Sequence, residues 1–274
     1  MKIAVSGKGG VGKTFIAGSL AAAFARSGRS VIAIDADPSP NLAMALGLSA
    51  EDAGRIVPIA EDAELIKLKT GTTYSGVFRL TFTVDDIIGS HTVPTPSGAS
   101  LMVMGTVRAM DAGCTCPAHA VVKALLRHLV VERDEVVILD MEAGIEHLGR
   151  GTSGHVDTLL IVSDANRRSL EVANTIHRLA SGSQICHVGL IGNRVADERQ
   201  RAAIQKFADE NGIPVLAMVP FDQGIADSGM TGEAPDELQS PAISDIRKLA
   251  RDLSGKFFSG DSRIGTDQPH GGVT

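Results

Sequence analysis

Eight residues near the start of the chain, Gly7-Lys8-Gly9-Gly10-Val11-Gly12-Lys13-Thr14, carry the most specific chemistry in the sequence. They satisfy two phosphate-binding spacings at once. Gly7, Gly9 and Gly12 form G-x-G-x-x-G, and the acid Asp35 follows about 20 residues on, as a dinucleotide site requires. The same stretch is also G-x-x-x-x-G-K-T, a loop whose main-chain N–H groups cradle phosphates. Lys13 and Thr14 decide between the two. A dinucleotide needs neither, whereas a nucleoside triphosphate needs an ammonium for its β- and γ-phosphates and a hydroxyl for Mg²⁺. All eight residues are therefore expected to hold a nucleoside triphosphate, with Lys13 also catalytic.

Carboxylates follow where such a loop would use them. The apolar run Val31–Asp35 leads into Asp37 and Asn41, and Val136–Asp140 is four aliphatic residues ending in an acid. Acids at the carboxyl ends of strands beside the loop point at the γ-phosphate, its Mg²⁺ and the attacking water. Asp140 is expected to hold the Mg²⁺ hydration shell. Asp35 is either structural or orders Mg²⁺ through water. Lys8 has no task within its own loop, but a cation at the loop's lip could stabilise transition-state charge on a nucleotide held by a second subunit.

A second constellation is Gly113-Cys114-Thr115-Cys116-Pro117. Residues i and i+2 of an extended segment face one side, so both sulfurs can meet one partner. Two thiolates do not close a tetrahedral site, and an isologous two-fold dimer supplies the second pair. Cys114 and Cys116 are thus expected to bind one metal per dimer, with Zn²⁺, Ni²⁺ and Cu(I) all suited to thiolate. Cys186 reads as a small buried hydrophobe in a strand. His119 and His147 read as bystanders, and Glu142 and Glu146 as shaping the segment after Asp140.

GKGGVGKT resembles the deviant Walker A loop of the ATPase family that includes MinD, ParA, the arsenite and tail-anchor targeting ATPases and nitrogenase iron protein. The resemblance implies ATP as ligand and two subunits face to face over it, with Lys8 crossing to act in the partner's site. It implies that Asp37, in a switch-I-like Asp-Pro, positions water and joins Thr14 and Asp140 around Mg²⁺. It also implies that Asn41, Asn193, Arg194 and Pro220 contact the nucleotide, Asn193 reading adenine with its amide. Two later segments, GCTCPAHAVVKALLRHL and DMEAGIEHLGRGT, are similar to those of the CooC-type carbon monoxide dehydrogenase maturation ATPases, a resemblance spanning most of residues 1–255. It implies an ATP-hydrolysing maturation factor that carries Ni or Zn to a nickel enzyme. Two rival readings are a MinD-like positioning or membrane-associated ATPase, and an Fe–S electron-transfer ATPase like the iron protein.

These motifs need a scaffold that alternates short apolar strands with helices. Strands are expected at Ile3–Ser6, Val31–Asp35, Glu64–Leu68, Leu101–Met104, Val136–Asp140, Thr158–Val162, Cys186–Gly192 and Val215–Val219. Helices are expected at Lys13–Ser27, Pro117–Val131, Arg168–Ala180, Glu198–Asn211 and Ala242–Phe258. That order predicts an α/β fold, a doubly wound and mostly parallel sheet of the P-loop NTPase kind. One domain over residues 1–258 is expected, with an irregular insertion at Gly71–Gly98 and a flexible polar tail over 259–274.

Composition narrows the partners. The 274 residues carry 26 Lys and Arg against 32 Asp and Glu, a net charge of −6, and only 3% are aromatic. Neither a positive channel nor stacking platforms are available for nucleic acid. Three cysteines cannot build a disulfide scaffold. The sequence contains no apolar run of about 18 residues to cross a bilayer and no signal-peptide anatomy at its start. A cytoplasmic, reduced homodimer without stable membrane association is expected.

Overall fold

A computed structural model describes residues 1–37, 40–71, 83–105, 117–131, 135–142, 156–183, 185–231, 234–235 and 238–258. Eight strands form one sheet: β1 (Lys2–Gly7), β2 (Val31–Asp35), β3 (Val93–Pro94), β4 (Ser100–Val103), β5 (Val136–Asp140), β6 (Thr158–Ser163), β7 (His187–Val195) and β8 (Val215–Pro220). Their order is β3-β4-β2-β5-β1-β6-β7-β8. Every neighbouring pair runs parallel except β3 and β4. The parallel strands therefore all finish at one rim, and β1, beside the reversal of strand order, carries the glycine loop there.

Period-two alternation divides the sheet's residues between two cores. Ala4, Ile32, Ile34, Val137, Leu139, Leu159 and Ile161 face one side. Ile3, Val5, Val31, Ala33, Val136, Ile138, Leu160 and Val162 face the other. Both sets are buried, which is why these strands read as unbroken apolar runs rather than alternating ones. The first face is covered by α6 (Pro117–Val131), α7 (Arg167–Ser181) and α8 (Glu198–Glu210), through residues such as Val121, Leu125, Ala173, Ile176 and Ile204. The second face is covered by α1 (Lys13–Arg26) and α10 (Pro241–Phe258), through Ile16, Leu20, Phe24, Ile246, Leu249 and Leu253.

Shorter elements fill the connections: α2 (Leu42–Ala45), α3 (Ala50–Ala53), α4 (Ala63–Thr70), α5 (Asp85–His91) and α9 (Gln223–Thr231). The expected strand at Glu64–Leu68 is instead the middle of α4. Asp62 accepts a hydrogen bond from the Leu65 N–H (2.9 Å) and caps the helix, Glu64 lies in its first turn, and Gly71 ends it at φ 77°. These end signals override the strand-like Leu-Ile-Lys-Leu pattern. Cys186 also departs from expectation: it is exposed and precedes β7 rather than lying within a strand. The expected insertion contains α5 and β3 among its described residues. The expected tail, 259–274, lies outside the described residues.

Candidate nucleotide site

The glycine loop joins β1 to α1 and is shaped by what surrounds it. Gly7 adopts φ 153°, and a Cβ there would strike the main-chain carbonyl of Val162 in β6. Gly12, which precedes α1, adopts φ 92°, and its Cβ would collide with Nδ2 of Asn193. Neither position admits a side chain. The first turn of α1 has no acidic residue and no side-chain cap. Its N–H groups and the positive end of the helix dipole are left for an anion. Lys13 is 7% exposed at this end, while Lys8 is half-buried at the loop's lip.

Two acids stand side by side at the adjoining strand ends, Asp35 of β2 opposite Asp140 of β5. Their surroundings differ. Asp35 accepts hydrogen bonds from the N–H groups of Leu42 (2.8 Å) and Asp37 (3.2 Å), so it braces the segment that leads to Asn41. Burial pushes its carboxyl up to about 6 against those bonds, with the Asp37 charge adding to the rise. Asp140 is 1% exposed, and neither of its oxygens has a hydrogen-bond partner of good geometry. Burial pushes it up to about 7; the nearby Thr14 hydroxyl opposes the rise, the Asp35 charge adds to it, Lys13 opposes it and Asp37 adds. A buried carboxylate without a bonded partner, beside a hydroxyl and an ammonium, suits a cation. Among the described residues no three His, Cys, Asp or Glu side chains gather as a ready metal site. Mg²⁺ would accordingly draw on Thr14 and Asp140, with the remaining oxygens from phosphate and water.

Beside the loop lies a cavity of about 580 Å³. Gly12, Asn41, Asn193, Arg194 and Pro220, expected on separate grounds to contact the nucleotide, all line it. Asn193 is buried and donates through Nδ2 to the Val11 carbonyl at 2.8 Å; Arg194 donates to the Gly10 carbonyl at 2.9 Å. Sequence reasoning missed Phe15, Met44, Phe221 and Asp222, which are also part of the walls. For Phe15 and the Phe221-Asp222 pair the available signal was adjacency to Thr14 and Pro220. The Ser240 hydroxyl (2.6 Å) and the Ile225 N–H (3.1 Å) donate to Asp222 and hold its carboxyl below the usual range. A mostly apolar cavity next to a phosphate loop fits a nucleotide base.

The remaining expectations divide by position. Cys114, Cys116, Glu146 and His147 lie outside the described residues. His119 sits in the first turn of α6, partly exposed, and the Glu142 carbonyl accepts a hydrogen bond from the Ser6 hydroxyl (3.1 Å).

Residues 2–235 match the CobQ/CobB/MinD/ParA nucleotide binding domain. The carbon monoxide dehydrogenase accessory protein CooC of Rhodospirillum rubrum is 44% identical over 250 residues, 89% of this chain and 92% of that protein. An uncharacterised ATP-binding protein of Methanocaldococcus jannaschii is 42% identical over 252 residues, 91% of this chain and 96% of its own length. In fold, the septum site-determining protein MinD of Pyrococcus horikoshii, complexed with Mg-ADP, superimposes with a TM-score of 0.65 at 19% identity, covering 94% of this chain and 96% of that one. The glycine loop, the buried acids and the base cavity thus sit on a scaffold shared with known nucleotide-binding proteins, and the chain belongs to the CobQ/CobB/MinD/ParA family as a P-loop ATPase similar to CooC.

Proposed function

We propose that this ATPase is a maturation factor for a nickel enzyme, carbon monoxide dehydrogenase being the client the CooC likeness favours. ATP closes a homodimer, and Cys114 and Cys116 of each subunit together hold one Ni²⁺ or Zn²⁺ ion as cargo. Lys8 reaches the partner's phosphates, Lys13 serves its own, and Asp37 orients the attacking water. The observation that carries the reading is the 44% identity to CooC over most of the chain, joined to a site whose buried Asp140 and Lys13, with Thr14 beside them, suit Mg²⁺ and phosphate. Mg²⁺, when bound, neutralises charge developing on the phosphates. The chain's own part is to hold the triphosphate on the loop's amides, keep Asp140 dry and fix the base beside Asn193 and Pro220.

The position of the Cys pair in the sequence supports a link between cargo and nucleotide. Cys116 immediately precedes α6, and α6 packs its Val121, Val122, Leu125 and Leu129 into the core shared with β5, whose last residue is Asp140. The membrane-associated rival fares worse on the helix that the sequence offers for it, α10. That helix buries Ala242, Ile243, Ile246, Leu249 and Leu253 in the protein. Among the described residues no helix is long and apolar enough to cross a membrane.

The test is metal analysis of size-exclusion fractions run with ATP, ADP and no nucleotide. Metal confined to a dimer peak at one ion per two chains is expected. Cys114→Ser should lose that metal while the monomer still binds ATP. Metal retained in full by that variant would remove the assignment.

A further inference from the structure

Among the described residues Arg194 is the one non-glycine with a positive φ, 56°. A residue with a Cβ enters this region only where its surroundings impose it. Here the imposition comes from the pairing of β7 with β8. Gly192 lies opposite Met218 and Val195 opposite Pro220, so β7 uses one residue more than β8 over the same span. This is a bulge, a device that re-aims side chains near functional sites.

The re-aiming has a visible result. In a regular strand Asn193 and Arg194 would point to opposite faces. Both instead reach the glycine loop, where they donate to successive carbonyls, Asn193 to Val11 and Arg194 to Gly10. A planar trans peptide sets each carbonyl opposite the next residue's N–H. Holding these two carbonyls towards β7 therefore turns the N–H groups of Val11 and Gly12 away from it. The Val11 N–H makes only a long turn contact, 3.4 Å, with the Lys8 carbonyl.

We propose that Arg194 is a positioning residue for phosphate binding: together with Asn193 it clamps the Gly10 and Val11 carbonyls, so that the loop's amides are set for the anion before it arrives. Preorganised donors spare the ligand the cost of ordering them. The proposal rests on the ATPase reading of the loop and is independent of the metal cargo.

Arg194 also lines the base cavity and carries a charge, so the test must separate three roles. Inorganic tripolyphosphate has no base to touch. Its affinity and that of ATP are measured by calorimetry for the wild-type chain, Arg194→Ala and Arg194→Gly, at low salt and at about 0.5 M salt, where exposed charges are screened. Clamping predicts that both variants weaken both ligands by the same factor, about tenfold as for one lost charged hydrogen bond, and that the factor survives high salt. Arg194→Gly relieves the left-handed backbone, so its thermal stability should hold or rise while tripolyphosphate affinity falls. Three results would each overturn the proposal: tripolyphosphate unaffected while ATP weakens, a factor that vanishes in high salt, or wild-type affinity in Arg194→Gly.

Discussion

Replacing Asp140 with Asn should stabilise the nucleotide-free protein while disabling it. The Asp140 carboxyl is almost fully buried and lacks a well-formed hydrogen bond, and burial pushes it up to about 7 from its ordinary 3.8. That rise corresponds to about 4 kcal/mol at most, at about 1.4 kcal/mol for each tenfold change in proton affinity. The sign follows from the direction. An acid whose pKa is raised by folding is harmless below its unfolded pKa, near 4, and its penalty grows until the folded pKa, near 7, is passed. Asn removes the charge but leaves an amide to satisfy, which costs about 1–3 kcal/mol. The net gain at pH 8 is then about 2 kcal/mol, or about 5 °C for a chain of this size. Thermal unfolding in chelator without nucleotide, at pH 5 and pH 8, measures it. Asp140→Asn should melt higher at pH 8 and level with the wild type at pH 5, and Mg²⁺-dependent ATP hydrolysis should fall by about a hundredfold. An equal gap at both pH values, or a less stable variant at pH 8, would refute the reasoning about the buried charge.

Three further outcomes are expected. Gly7→Ala places a Cβ against the Val162 carbonyl, which β6 holds rigid, and should cost about 3 kcal/mol or more, read from the denaturant midpoint at unchanged slope. Leu249→Ala, in the buried stripe of α10, should cost about 2–5 kcal/mol and leave the KM for ATP alone, because its loss is a cavity remote from the phosphates. Asp222→Ala removes both the cap on α9 and the bond from Ser240 at the cavity wall; about 1 kcal/mol of stability should go. For that variant a raised KM for ATP with unchanged kcat, in steady-state hydrolysis, is the expected kinetic signature.

The phosphate side of the candidate site could be assembled from the sequence because its residues are local. Gly7 to Thr14 are consecutive, and Asp35 and Asp140 each end an apolar run, so spacing alone placed them at one rim. The fold was legible for a similar reason, since strands buried on both faces advertise themselves as Val- and Ile-rich stretches. What spacing could not convey is which neighbours meet in space. Phe15, Met44 and the Phe221-Asp222 pair come from three separate stretches of the chain and meet through the sheet's order. The bulge at Arg194 is a property of two strands in register and leaves no mark on either alone. The contrast between Asp35 and Asp140 was also hidden, because both end strands and only the fold decides which one receives the N–H groups of Asp37 and Leu42. Glu64–Leu68 misled for the opposite reason. Its short apolar pattern suits either element, and the capping residue Asp62 that settles the matter lies outside the pattern.

The common rim of the parallel strands separates what can be exchanged from what must stay. The described chain reaches that rim at Met104-Gly105 and at Glu142 and resumes in or just before α6 and β6, elements rooted in the core. Among the described residues, all eight strands of the sheet and the whole glycine loop lie outside 106–116 and 143–155. The sheet and the phosphate cradle are thus built from segments other than the one that carries Cys114 and Cys116. Under the proposed cargo role the ATPase body serves as a chassis, and a change of cargo becomes a matter of substituting a short cassette rather than inventing a protein.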